Sequence, residues 1–102
     1  MTKSYNITED HIELLHSIEK DGKASQRQIA KQTGLSIGKV NYCIKALIDI
    51  GFVKINNFNN SKRKLDYVYI LTTKGIIEKT KLTKKFIIKK KQEYDRLNSY
   101  LK

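Results

Sequence analysis

The chain has 102 residues, 39% hydrophobic and 30% charged, and its 21 Lys and Arg against 10 Asp and Glu give a formal net charge of +11. That length holds one small domain with a modest core, and the apolar content excludes wholesale disorder. A single Cys excludes a disulfide framework and a Cys-based zinc site, and neither a membrane-spanning apolar run of ~18 residues nor the apolar stretch of a secretory signal is present.

Thr8 opens the first predicted helix as its N-cap, with Glu9 and Asp10 suiting the positive end of the helix dipole. Ile7 and Ile12 can form a hydrophobic staple, Ile12, Leu15 and Ile18 with Leu14 make an apolar stripe, and Gly22 stops the helix. His11 and His16 share this helix at a spacing that does not stack them, so both read as ordinary surface or boundary histidines. Ser25 and Gln28 form a capping box for a second, short helix with Ile29 and Ala30 inward, and Gly34 supplies the left-handed residue that ends it. Ser36 caps a third helix, over about 36–50, whose apolar stripe is Val40, Cys43, Ile44 and Leu47. Two short helices around a tight glycine turn predict a helix-turn-helix.

After Gly51 the period becomes extended. Phe52–Ile55 and Leu65–Leu71 predict two strands joined by a polar loop that ends in Ser61, Lys62, Arg63 and Lys64, a basic wing over about 56–66. Thr72 to Gly75 begin a fourth helix that no breaker interrupts to the end. Its positions Ile76, Thr80, Thr83, Ile87, Lys90, Tyr94, Leu97 and Leu101 repeat at 3.5-residue spacing, a coiled-coil seam interrupted by two Thr and one Lys. The predicted fold is therefore mainly α with a β-hairpin (α+β): a winged helix-turn-helix over 1–75, and a long C-terminal helix over 76–102 that pairs two copies or folds back on its own domain. Thr83, Ile87, Tyr94, Leu97 and Leu101 are the candidate dimerisation residues.

No phosphate loop, nucleophile motif or paired-carboxylate pattern appears, which predicts a protein that is not an enzyme and uses no metal or other cofactor. Cys43 reads as a buried structural thiol. The basic surplus is concentrated late: residues 62–102 hold 13 of the 21 basic side chains. The third helix presents Gly38, Tyr42 and Lys45 opposite its stripe, with Lys39, Asn41 and Ala46 on the flanks, and its only acid, Asp49, stands at the far end. Such a face suits double-stranded DNA, because recognition helices present their N-terminal residues to base edges in the major groove. Asn41 matches adenine N6 and N7, and Lys39 can donate to guanine O6 and N7. Gly38 allows close backbone approach, and Tyr42 can donate to phosphate or touch a thymine methyl. Ser25, Gln26, Ser36 and Lys45 suit phosphates, and Lys62, Arg63 and Lys64 can track phosphates or enter a minor groove. A protein–protein interaction module, an RNA-binding protein and a basic helix lying on anionic membrane are the alternatives; the polar third helix and the lack of a broad apolar face on the last one weigh against the first and third.

The run Leu35–Leu47, then Gly51–Lys54, Asn57-Phe58, Ser61-Lys62, Tyr67–Leu71 and the turn Leu71-Thr72-Thr73-Lys74-Gly75 resembles the small MarR-type winged-helix regulators associated with exopolysaccharide gene clusters. The resemblance covers roughly residues 8–100. It implies a bacterial transcription regulator with a winged-helix fold that contacts DNA through Ser36, Lys39, Asn41, Tyr42 and the wing; the lack of a signal or membrane run predicts a cytoplasmic protein, and the last helix a homodimer. Full-length MarR proteins carry a further N-terminal helix that helps dimerise and line a ligand cleft. The first helix here begins near Thr8, so no small-molecule effector is expected and dimerisation falls to the last helix.

Overall fold

The computed structural model describes residues 6–57 and 67–101. Four helices and one hairpin follow in the order α1 (Glu9–Lys20), α2 (Gln26–Thr33), α3 (Ile37–Asp49), β1 (Val53–Asn57), β2 (Tyr67–Leu71) and α4 (Thr73–Ser99). The strands pair antiparallel with Ile55 opposite Tyr69 and Val53 opposite Leu71. The protein is a winged helix-turn-helix with a long C-terminal helix.

The helix ends are set by local chemistry. The Ser25 hydroxyl accepts from the Gln28 amide while Gln28 Oε1 accepts from the Ser25 amide, the reciprocal box expected there. Gly34 sits at φ 77°, and its N–H donates to the Ala30 carbonyl, so the chain leaves α2 in a left-handed step that few residues other than glycine tolerate. Two residues later Ser36 caps α3 by accepting from Lys39 N. These two caps set the tight turn between the paired helices.

Leu14, Leu15 and Ile18 of α1 meet Ile29 and Ala30 of α2, Val40, Cys43, Ile44 and Leu47 of α3, and Phe52, Val53, Tyr69 and Leu71 of the hairpin in one core. Ala46, expected on a flank of α3, is buried as well. Ile12, expected on the α1 stripe, is instead half-buried beside Thr83 and Phe86 of α4. The hairpin is sewn to the helices by backbone: the Tyr69 amide donates to the Gly22 carbonyl at 2.8 Å, and the Thr72 amide to the Phe52 carbonyl at 3.0 Å. β1 begins one residue later than expected and runs two further, because Phe52 turns into the core before the ladder starts. Residues 65 and 66 of the expected second strand lie outside the described residues.

His11 departs from the surface reading. It is 5% exposed, and its Nδ1 accepts from the Thr8 amide at 3.0 Å, completing the cap of α1. A nitrogen that accepts carries no proton, so the ring is neutral here. Burial holds its pKa below the ordinary value; Asp10 opposes that shift and Lys39 adds to it. The unfolded chain therefore binds this proton more readily than the folded one. The His11 contribution to stability is present above the ordinary imidazole value of about 6.5 and is lost as pH falls through the lower folded value. Urea midpoints measured from pH 7.5 to 5 should fall for the native sequence. They should fall less for His11→Gln, which keeps a capping-box residue that does not titrate.

Candidate nucleic-acid interface

The outward side of α3 is built by its own periodicity. With Val40, Cys43, Ile44 and Leu47 in the core, Gly38, Tyr42 and Lys45 stand on the opposite side and are exposed, Tyr42 at 68%. A β-carbon built at Gly38 meets nothing within 4 Å, so the backbone there is open to an approaching surface. Ser25 and Ser36, the N-caps of α2 and α3, are both exposed. Burial raises the pKa of the Cys43 thiol, and this side chain is 1% exposed, consistent with a structural thiol.

Two members of the face have partners that local sequence does not reveal. Lys39 Nζ lies 3.1 Å from the Asp10 carboxylate, which by hydrogen bond and charge holds the ammonium above its ordinary pKa. The expectation that no acid stands against this half of α3 is thus corrected: folding brings one from α1, 29 positions away in the chain. Asn41 Nδ2 donates to Gln26 Oε1 at 3.1 Å, and Gln26 Nε2 donates to the Tyr69 hydroxyl at 3.3 Å. The Gln26 amide, expected on phosphate, is engaged inside the protein. Asp10 and Tyr69 carry no sequence signal for this site; only the packing of α1 and β2 against the helix pair brings them there.

Lys62, Arg63 and Lys64 lie outside the described residues, as does most of the wing read over 56–66. Among the described residues, no cluster of three or more His, Cys, Asp or Glu side chains is arranged to hold a metal ion, and no helix is long and apolar enough to cross a membrane.

α4 divides along its length into a packed part and an exposed part. Up to Lys90 it packs on α1: Lys79 bonds Glu19 at 2.6 Å and His16 at 3.1 Å, and Lys90 meets Glu9 at 3.0 Å. Thr83 faces a groove of about 510 Å³ between the two helices, and its hydroxyl donates to the Lys79 carbonyl. Beyond Lys90 the helix projects. Ile87, Tyr94, Leu97 and Leu101 are 57% to 83% exposed, with Ile88 and Tyr100 beside them. Thr83 and Ile87 border one groove against α1, whereas Tyr94, Leu97 and Leu101 stand on the projecting end of the helix.

A family model described as winged helix-turn-helix DNA-binding matches residues 11–54. No curated protein matches the chain. Among solved structures, the fold is similar to a Listeria innocua protein of unknown function, at 26% identity and TM-score 0.62, over 78% of this chain and 53% of that one. It is similar to a MarR/EmrR family transcriptional regulator from Acinetobacter sp. ADP1, at 21% identity and TM-score 0.65, over 90% and 63%. It is also similar to Streptococcus pneumoniae FabT in complex with DNA, at 19% identity and TM-score 0.62, over 86% and 59%. The chain therefore spans between half and two-thirds of the length of these three proteins.

Proposed function

We propose that this chain is a sequence-specific, DNA-binding transcription regulator whose third helix reads the major groove. The observation that carries the proposal is the exposed side of α3: Gly38, Lys39, Asn41 and Tyr42 in the N-terminal half of the second helix of a helix-turn-helix, with Lys45 one turn further on. That is the part of such a motif that meets base edges. The DNA-binding description of the matching family model and the DNA complex of FabT support the same reading.

In this reading Asn41 and Lys39 address bases, while Ser25, Ser36, Tyr42 and Lys45 hold phosphates, joined by Lys62, Arg63 and Lys64 of the wing. Residues 1–75 bind DNA. Residues 76–102 pair two copies through the exposed stretch of Ile87, Tyr94, Leu97 and Leu101, with Thr83 at its near end. The protein acts in the bacterial cytoplasm without a cofactor. Its resemblance to exopolysaccharide-associated regulators points to target genes of that kind.

Selection of genomic fragments by the purified chain at about physiological salt tests this. The expected result is enrichment of one inverted repeat, with half-sites one helical turn (about 34 Å) or a multiple apart. Enrichment of no sequence by folded protein would overturn the proposal.

A further inference from the structure

The amide of Asn41 is held by a relay that crosses three elements. Tyr69 of β2 is buried, and its hydroxyl accepts from Gln26 Nε2 at the first residue of α2. Gln26 Oε1 in turn accepts from Asn41 Nδ2 on α3. An Asn amide offers two N–H donors and one carbonyl acceptor. With one donor engaged by Gln26, Oδ1 and the second N–H remain. Together they make an acceptor and a donor side by side, the complement of adenine N6–H and N7 in the major groove. An amide without such a hold turns about a broad, roughly two-fold torsion and can donate to guanine O6 or N7 instead.

We infer that Gln26 is a positioning residue for base recognition. By fixing the orientation of the Asn41 amide it commits α3 to adenine at one base pair, and Tyr69 locks Gln26 from the hairpin. This rests on the DNA-reading function proposed above, and it gives Gln26 a part in specificity where a phosphate contact would add only affinity.

The test is selection from a randomised duplex pool with the full chain, comparing the native sequence with Asn41→Ala, Gln26→Met, Gln26→Glu and Tyr69→Phe. Asn41→Ala should lose roughly 5- to 150-fold of preference for adenine at one base pair. Gln26→Met should lose a similar factor at the same base pair while its thermal unfolding stays cooperative. Gln26→Glu should keep the preference, because a carboxylate still accepts from Asn41 Nδ2. It should also bind every duplex more weakly, through repulsion of phosphate. Tyr69→Phe, which removes only the hydroxyl, should lose part of the preference, and it carries the test should Gln26→Met unfold. Folded Gln26→Met with adenine preference intact would overturn the inference. Asn41→Ala with every preference intact would overturn it as well, yet leave the regulator reading standing, since the native chain still selects a sequence. A native chain that selects nothing removes both.

Discussion

Gly75→Ala should lower the stability of the fold by about 3 kcal/mol, whereas Gly38→Ala should leave it unchanged or raise it slightly. Both glycines lie in helices, where replacement by Ala ordinarily gains up to about 1 kcal/mol. The surroundings decide the sign. A β-carbon at Gly38 meets open space, so only the propensity gain remains. A β-carbon at Gly75 would stand 2.0 Å from the Phe52 carbonyl oxygen and 2.8 Å from its carbon. Those atoms are backbone and cannot swing aside. The Phe52 oxygen also accepts the Thr72 amide, while the Thr72 hydroxyl donates to the Gly51 carbonyl and accepts from the Gly75 amide. One small knot therefore joins the end of α3, the start of β1 and the start of α4, and relieving the clash means loosening all three. Thermal unfolding should show the Gly75→Ala midpoint lower by 10 °C or more for a domain of this size, at roughly 4–8 °C per kcal/mol. A midpoint within a degree or two of the native one would mean that α4 is free to shift away from Phe52.

The same residue shows what was legible in the sequence and what was not. Caps and periodicity are local, so Ser25 with Gln28, Gly34, Ser36 and Thr72 mark the ends of the helices from the residues alone. The stripe Val40, Cys43, Ile44 and Leu47 likewise follows from spacing, and all four are buried. That Gly75 must be small depends on Phe52, 23 positions earlier, and no local pattern encodes the distance between them. The candidate site divides in the same way. Gly38, Asn41, Tyr42 and Lys45 fall away from the buried stripe because one helix turns at a fixed angle per residue. The Asp10 contact needs α1 packed on α3, and the Tyr69 contact needs β2, α2 and α3 together, so no local pattern encodes them. The burial of His11 has a related cause. Histidine at the third position of a helix is not the usual capping-box residue, and only its burial against the core leaves its ring nitrogen facing the Thr8 amide.

The affinity for duplex DNA should fall about 10³-fold between 50 and 200 mM salt. Six phosphates neutralised by Lys or Arg release their counterions with a log–log slope of about −5, and a fourfold change in salt raised to that power gives the factor. The surplus of positive charge supplies enough cations: Lys45 on α3, the three basic residues at 62–64, and their copies in a dimer. Lys39 should behave differently from these. Its ammonium already pairs with Asp10, so reaching a base edge breaks that pair and leaves the carboxylate near the phosphates. Asp10→Asn should therefore tighten binding about two- to fivefold, the scale of an exposed ion pair. Lys45→Ala should reduce the slope by about 2, one for each copy in the dimer, and weaken all sequences alike. Fluorescence anisotropy titrations across the salt range measure the native chain and both variants. A slope near zero for the native chain would mean that its charge does not meet the phosphate backbone, leaving α3 to recognise something other than nucleic acid. An unchanged affinity in Asp10→Asn would mean that Lys39 stays on α1 and takes no part in binding.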